Sequence, residues 1–258
     1  MINGNLEPSR IRLPSYLHEL DYSRTVDSTN DVARRRAAEL PKEAGLLAVA
    51  EEQTAGRGRG SNRWWTGVGS LAFSVLIDPA RFGIEQRYAS MVPLAAATAI
   101  VEVVTRHLPS PAVGIHWPND VYLGTRKLSG ILVEALSDGR QIVGIGLNVN
   151  NSLSAAPAEI QAIVASLGDE VGAPLDRTGV LNELLEALET AFNDLGRARE
   201  DLATTADELC TQRGTSLTLS VGDERVTGLC TGIAPDGALV LETPAGRRTI
   251  YSGIVVRE

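Results

Sequence analysis

Between residues 113 and 149 the chain carries four short runs rich in β-branched and aliphatic residues, at 113–117, 121–123, 128–135 and 141–149. Each gap is a turn: Pro118-Asn119-Asp120 stops the first run, Gly124-Thr125-Arg126 follows the second, and Asp138-Gly139 precedes the fourth. Four successive strands joined this tightly predict an antiparallel meander, because parallel neighbours need a long crossover. Upstream, 46–52 and 70–77 read as two more strands. A helix over 88–108 places Met91, Leu94, Ala95, Thr98, Val101, Val104 and Leu108 on one face. A shorter helix runs from Ser28 through Val32, Ala33 and Ala37 to Leu40. This order predicts an α+β domain with its helices on one face of the sheet. Residues 1–22 lack a strong pattern and read as an irregular lead-in or edge element.

Past Asn151 the character changes. Residues 157–167 read as a short helix. From Asp176 a longer one carries Leu181, Leu184, Leu185, Leu188, Phe192 and Leu195 on a single stripe, and another covers 202–210. The last 45 or so residues show strand alternation only, at 217–219, 226–233, 238–242, 248–251 and 254–256, with turns at Asp236-Gly237 and Ala245-Gly246. This predicts a small β-barrel, 212–258, appended to a main domain, 1–211, a division that 258 residues can support.

Charge limits the partners. A formal net charge of -8 argues against DNA or anionic membranes, which favour basic surfaces. Basic residues cluster locally instead, in Arg34-Arg35-Arg36 and in the segment Gln53 to Trp65, which suits a small anionic ligand. The two cysteines, Cys210 and Cys230, support neither a disulfide framework nor a zinc site, and read as buried thiols in a reducing cytoplasm. Residues 1–5 show no signal-peptide pattern. The apolar stretch 91–104 is too short to span a bilayer and contains Pro93 and Glu102. A cytosolic protein is expected.

Four segments carry polar groups out of keeping with packing. Between two strands, Gln53-Thr54-Ala55-Gly56-Arg57-Gly58-Arg59-Gly60-Ser61-Asn62-Arg63-Trp64-Trp65 combines three glycines, three arginines and two tryptophans without periodicity. Glycine permits close backbone approach and arginine offers fork-shaped donors for carboxylate and phosphate, so this loop can order around an anion. Its alternative is a solvated Gly-rich connection. Asp27-Ser28-Thr29-Asn30-Asp31 offers spare hydroxyls and an amide at a helix start, or simply a capping-box pair in Ser28 and Asp31. Trp117-Pro118-Asn119-Asp120 is turn chemistry or a polar strand end. In Lys127-Leu128-Ser129-Gly130, Lys127 opens a strand that Gly130 interrupts, marking a bulge or a close approach.

Taken together, Ser28-Thr29-Asn30, Gln53, Arg57-Gly58-Arg59, Trp117-Pro118-Asn119-Asp120, Lys127-Leu128-Ser129-Gly130-Ile131-Leu132 and Gly144 to Asn150 strongly resemble the biotin–protein ligase family over roughly residues 22–258. That resemblance implies a class II tRNA synthetase-like, biotin/lipoate ligase catalytic domain with a mixed, mainly antiparallel sheet, followed by an SH3-like barrel. It also implies a two-step reaction. Biotin's carboxylate attacks the α-phosphate of MgATP, giving biotinyl-5′-AMP and pyrophosphate, and a lysine of a carboxylase's biotin carrier domain then takes the biotin and releases AMP. By the same resemblance Lys127, Arg59 and Asp120 are catalytic. Ser28, Thr29, Asn30, Gln53, Arg57, Gly58, Arg59, Lys127 and Gly130 are the biotin-side residues. Arg57, Arg63, Trp64, Asn119, Lys127 and Asn148 are the ATP-side residues, and Mg2+ arrives with the ATP phosphates near Asn119.

Two departures stand out. His116 occupies the place of the family's lysine, and supplies less charge at neutral pH. Gly60-Ser61-Asn62-Arg63 replaces a further Arg-Gly-Arg, leaving Arg63 as a substitute cation. Only about 25 residues precede Ser28, too few for the helix-turn-helix of repressor relatives, so DNA binding is not expected and a monomer is favoured. The rival readings are a lipoate ligase or octanoyltransferase on the same fold, and a biotin-binding protein without catalysis.

Overall fold

The computed structural model describes residues 5–108, 112–152, 154 and 156–256. Residues 1–4 of the expected lead-in and 257–258 of the expected barrel lie outside the described residues. Seven strands form the main sheet: β1 (Glu19–Val26), β2 (Leu46–Gln53), β3 (Leu71–Ile77), β4 (Val113–His116), β5 (Asp120–Leu123), β6 (Arg126–Ala135) and β7 (Gln141–Leu147). Their order is β1-β2-β3-β7-β6-β5-β4, with β1 and β2 parallel and every other pair antiparallel. The 113–149 meander is therefore β4 to β7. The pattern-poor lead-in ends in a true edge strand, β1, joined to β2 through helix α1 (Thr29–Ala37).

Strand alternation divides the sheet's two faces. Leu47 and Val49 of β2, Phe73 and Val75 of β3, and Val143 and Ile145 of β7 point into the main core. That core is capped by α2 (Val92–His107) and α5 (Arg177–Arg197), whose stripe of Leu181, Leu184, Leu185, Leu188, Phe192 and Leu195 is buried. Each such side chain contributes roughly 1.5–3 kcal/mol on leaving water. Tyr16 and Phe82 pack edge-on against Phe192 at 6.3 and 5.4 Å. The opposite face holds Leu46, Ala48, Leu76 and Ile142 under Val32, Ala33 and Ala37 of α1. Helices thus flank both faces, not one. The sequence stripe of α1 shows that the helix has an apolar side but not which side of the sheet receives it.

Three helix expectations shift. The span 88–108 divides into a 3-10 segment, Gln86–Met91, and α2, because Pro93 sits in the first turn, where a missing N–H costs nothing. Gln86–His107 is long and apolar enough to cross a membrane by length and composition, yet most of α2 is buried in the core. The expected helix over 157–167 is two short ones, α3 (Ala158–Gln161) and α4 (Leu167–Val171), separated where Val164 bridges to Lys127. Helix α6 (Arg199–Glu208) begins earlier than its apolar pattern suggests.

A second sheet follows, entirely antiparallel, in the order β11-β10-β9-β8-β12: β8 (Ser216–Val221), β9 (Glu224–Ile233), β10 (Leu239–Thr243), β11 (Gly246–Ile250) and β12 (Ile254–Val256). This is the SH3-like unit. It joins the main sheet through Trp117, whose N–H donates to Gln212 Oε1 (2.7 Å) and whose indole Nε1 donates to Gly237 O (3.0 Å). Cys210 and Cys230 meet at this junction as buried free thiols.

Candidate active site

The α1 face of the sheet carries small side chains where it meets the loop 54–66. A Cβ on Gly144 would collide with Asn30 Oδ1, and one on Gly146 would collide with the Trp64 indole. On Gly130, the added carbon would lie 3.1 Å from both Lys127 Cε and Trp64 Cζ3. These glycines leave a floor on which planar groups can lie. A bulge between Val121 and Tyr122 on β5 opposes β6 just before Gly130, as the bulge reading of that glycine expects. Above the floor is a cavity of about 1020 Å³, closed on one side by Gly253, Ile254 and Val255 of the second sheet.

At one end of the cavity the start of α1 meets β2. Ser28 occupies the N-cap position, but its side chain makes no capping bond, so the Ser28–Asp31 capping box does not form. Gln53 does that work instead, its Oε1 accepting from Thr29 N (2.8 Å) and Thr29 Oγ1 (3.2 Å). Ser28, Thr29 and Asn30 are buried, at 3, 4 and 3% exposure, and still border the cavity. Thr29 and Asn30 are held there by protein partners, Gln53, Ser74 and Glu134, while Ser28 makes no capping bond and borders the cavity, where a ligand can meet its hydroxyl.

The loop is a small folded hairpin rather than an open coil. Arg57 and Arg63 form an antiparallel bridge, Gly58 N donates to Asn62 O (2.8 Å), and Trp64 N donates to Gly56 O (3.0 Å). Arg57 reaches Asp31 (2.6 Å) and Glu134 (3.0 Å). Arg59 crosses to the second sheet, donating to Gly253 O (3.1 Å) and lying 3.5 Å from Asn119 Oδ1. Burial holds its guanidinium below its usual range, against the opposing charge of Asp120. Arg63 is exposed at the cavity edge. The Trp64 indole N–H is buried without a partner, a donor directed at no protein acceptor.

The other end is built on Lys127. Its Nζ pairs with Asp120 Oδ2 at 2.7 Å and lies 5.7 Å from the Trp64 ring centre. Its backbone is held on both sides: Lys127 N donates to Ile163 O (2.8 Å), and Ala165 N donates to Lys127 O (2.8 Å). This bridge explains why the helix over 157–167 breaks. Asp120 Oδ1 is buried and unpartnered, next to the Asn119 amide, whose Nδ2 donates to Ile131 O. Asn148 is buried and accepts from Asn151 (3.0 Å). Among the described residues no group of three or more His, Cys, Asp and Glu side chains is placed to hold a metal ion.

With this geometry established, the chain proves similar to known proteins along most of its length. Residues 22–150 match the Biotin/lipoate A/B protein ligase family and residues 215–257 the Biotin protein ligase C terminal domain. The chain belongs to the biotin protein ligase family. The bifunctional ligase/repressor BirA of Bacillus subtilis (strain 168) is 31% identical over 96% of this chain and 78% of its own length. The biotin–[acetyl-CoA-carboxylase] ligase of Mycobacterium tuberculosis is 30% identical over 92% of this chain and 88% of its own. Among solved structures, a biotin protein ligase from Aquifex aeolicus in complex with biotin and ATP superposes with a TM-score of 0.79 at 29% identity, covering 93% of this chain and 98% of that one.

Every residue expected at the ligand site of this biotin protein ligase family member, Ser28 and Asn148 included, lines this cavity. The Arg34-Arg35-Arg36 cluster does not. Its guanidiniums are neutralised in ion pairs with Glu134, Asp27, Glu19, Asp21 and Glu39. His116 borders the cavity while stacking on Tyr122 at 4.4 Å and approaching Gln212 Nε2 (3.3 Å). The sequence reading missed Ser74, which bonds Thr29 Oγ1 and Asn30 Oδ1, both at 2.7 Å. Its signal was present, as the one polar side chain in an otherwise apolar strand. Glu134 lies outside the cavity but holds two of its lining residues, Asn30 and Arg57, a role the sequence reading did not assign.

Proposed function

We propose that this protein is a biotin–protein ligase, joining biotin to ATP as biotinyl-5′-AMP and then to a lysine of a carboxylase carrier domain. The observation that carries this reading is a cation, Lys127 bonded to Asp120, facing a cluster of hydroxyl and amide groups across one glycine-floored cavity under a Gly/Arg loop. The hydroxyl–amide end, Ser28, Thr29, Asn30 and Gln53, suits the polar ring of biotin, with Gly130 leaving room for its chain. Lys127 then meets the carboxylate where the α-phosphate must also sit, and neutralises both anions for in-line attack. The carboxylate oxygen forms a bond to phosphorus as the bond to pyrophosphate breaks. Arg57, Gly58 and Arg59 border the adenylate, Arg63 and Trp64 its phosphates and base, and Asn119 and Asn148 its ATP side. Loop closure keeps water from the anhydride. In the second step the carrier's ε-amine attacks the acyl carbon, AMP leaves, and Asp120 orients the amine.

Mg2+ fits this site as an ion carried in by ATP. Asp120 Oδ1 has no protein partner and Asn119 is adjacent, which suits an ion that takes a carboxylate and phosphates together. When bound it offsets charge on the phosphates. The catalytic unit is placed at 1–211 and the barrel at 212–258. Independence from DNA is in keeping with the net charge of -8, and a monomeric state and a cytosolic location complete the reading.

The test is incubation with labelled biotin, lipoate or octanoate, MgATP and a carrier domain. Label transfer from biotin with pyrophosphate release is expected, whereas transfer from lipoate or octanoate alone overturns the reading. Biotin binding without pyrophosphate release would leave a binding protein. A second expectation concerns the loop. Trypsin should cut between residues 56 and 66 roughly tenfold more slowly with biotin and ATP bound, since ordering a loop on a ligand suppresses its local opening. Equal cutting rates would show that ligands do not order it.

A further inference from the structure

Glu134 lies at the end of β6, on the same face as Gly130 but outside the cavity wall. Its carboxylate gathers four contacts: Asn30 Nδ2 at 2.7 Å, Arg57 at 3.2 and 3.0 Å on its two oxygens, and Arg34 at 3.0 Å. The side chain is 18% exposed. From Asn30 the contacts continue without a break. Asn30 Oδ1 accepts from Ser74 Oγ, which also bonds Thr29 Oγ1, Thr29 donates to Gln53 Oε1, and Gln53 Nε2 donates to Thr66 Oγ1 at 3.2 Å. The chain therefore begins at Arg57, where the Gly/Arg loop leaves β2, and ends at Thr66, where the loop returns. It passes through the hydroxyl–amide end of the cavity on the way.

From this ring of contacts we propose that Glu134 is a positioning residue. It fixes the root of the Gly/Arg loop, through Arg57, relative to the residues at the α1 end of the cavity, through Asn30. The moving part of the loop is then its tip, Gly58 to Asn62, which carries Arg59. Glutamate is required because its two oxygens serve only donors. A glutamine would turn an N–H toward a guanidinium or the Asn30 amide and leave Arg34 and Arg57 with one shared carboxylate fewer. Asp31, which also pairs with Arg57 at 2.6 Å, cannot replace it, because among the described residues no hydrogen bond or ion pair joins its carboxylate to the Asn30 side chain or to β6.

The first test needs no ligand. Trypsin cleavage after Arg59 and Arg63 should rise about 5–10-fold in Glu134→Gln, matching loss of a charged hydrogen bond, while cutting elsewhere and the thermal midpoint stay close to wild type. Arg57→Gln, a change on a more exposed side chain, should reproduce the rise. Adding Glu134→Gln to Arg57→Gln should change cutting less than twofold, because the two act through one contact. Wild-type cutting in Glu134→Gln, or an undiminished effect in the Arg57→Gln background, overturns the proposal. A second measurement rests on the proposed ligase activity. Without carrier domain, Glu134→Gln should lose about tenfold more adenylate to hydrolysis, per adenylate formed, than wild type, as expected for a loosened water-excluding lid. An unchanged ratio overturns the proposal. A wild type that forms no adenylate overturns the ligase reading instead, and the cleavage result alone then decides the role of Glu134.

Discussion

Lys127→Ala should lower biotin-dependent pyrophosphate exchange by ~10²–10³-fold, the scale associated with losing a charge-stabilising donor from a closed site. The reason is electrostatic. Two anions, a carboxylate and a triphosphate, have to approach to bonding distance, and Lys127 is the cation whose ammonium is already held, by Asp120 at 2.7 Å, at the floor of the cavity. The bridge from Ile163 to Ala165 pins its backbone, so the charge arrives without being ordered by the substrate. Arginine should rescue little. Its planar fork is wider than an ammonium, and the site is tight, since even a Cβ on Gly130 would lie 3.1 Å from Lys127 Cε and from Trp64 Cζ3. The variant should fold, since Lys127 is part-exposed. Exchange within tenfold of wild type in a folded Lys127→Ala protein would remove the residue from this role.

The largest effect on stability is expected far from the ligand, at Arg177. This side chain is 2% exposed, donating to Ser70 O (2.6 Å) and pairing with Glu51 (2.6 Å). Glu51 in turn accepts from Leu6 N (2.7 Å) and Tyr22 OH (3.1 Å). One part-buried carboxylate and one buried guanidinium thus tie together the lead-in, β1, β2, the start of β3 and α5. Arg177→Met should destabilise the fold by about 3–5 kcal/mol, because Glu51 is left as an uncompensated charge away from water. Adding Glu51→Gln should recover a large part of that loss, since the penalty comes from the orphaned carboxylate more than from the lost attraction. Urea unfolding measures both. A loss under ~1 kcal/mol for the single variant would mean that water reaches Glu51 when its partner is removed.

Much of the molecule can be read from neighbouring residues alone. Short turns at Gly124-Thr125 and Asp138-Gly139 leave antiparallel pairing as the only outcome for β5 to β7, and Gly124 and Gly139 adopt φ of 58° and 90° as such turns require. The leucine stripe from Leu181 to Leu195 specifies a buried helix face whatever it packs against. The residues that line the cavity are legible for a related reason. They occur in contiguous strings at strand ends, where one segment sets both the backbone shape and the side chains it presents.

Contacts between distant segments are a different matter. Periodicity tells that α1 has an apolar side, but not that Leu46 and Ala48 on the second face of β2 receive it. It gives no sign that β1 will lie parallel to β2, because the alternation of an edge strand exposed on one side is weak. The capping pattern at Ser28 and Asp31 is genuine as a pattern, yet Gln53, reached only after β2 is laid beside α1, takes the helix N–H first. Glu134 and Arg177 look like ordinary surface charges in the sequence. Only the fold, by removing water around them, turns each into a group whose partners are fixed. The sequence by itself therefore determined the strands, the helix stripes and which segments bear the site's chemistry. The tertiary structure decided how those segments face each other, because burial and hydrogen-bond pairing depend on which distant groups share one dry space.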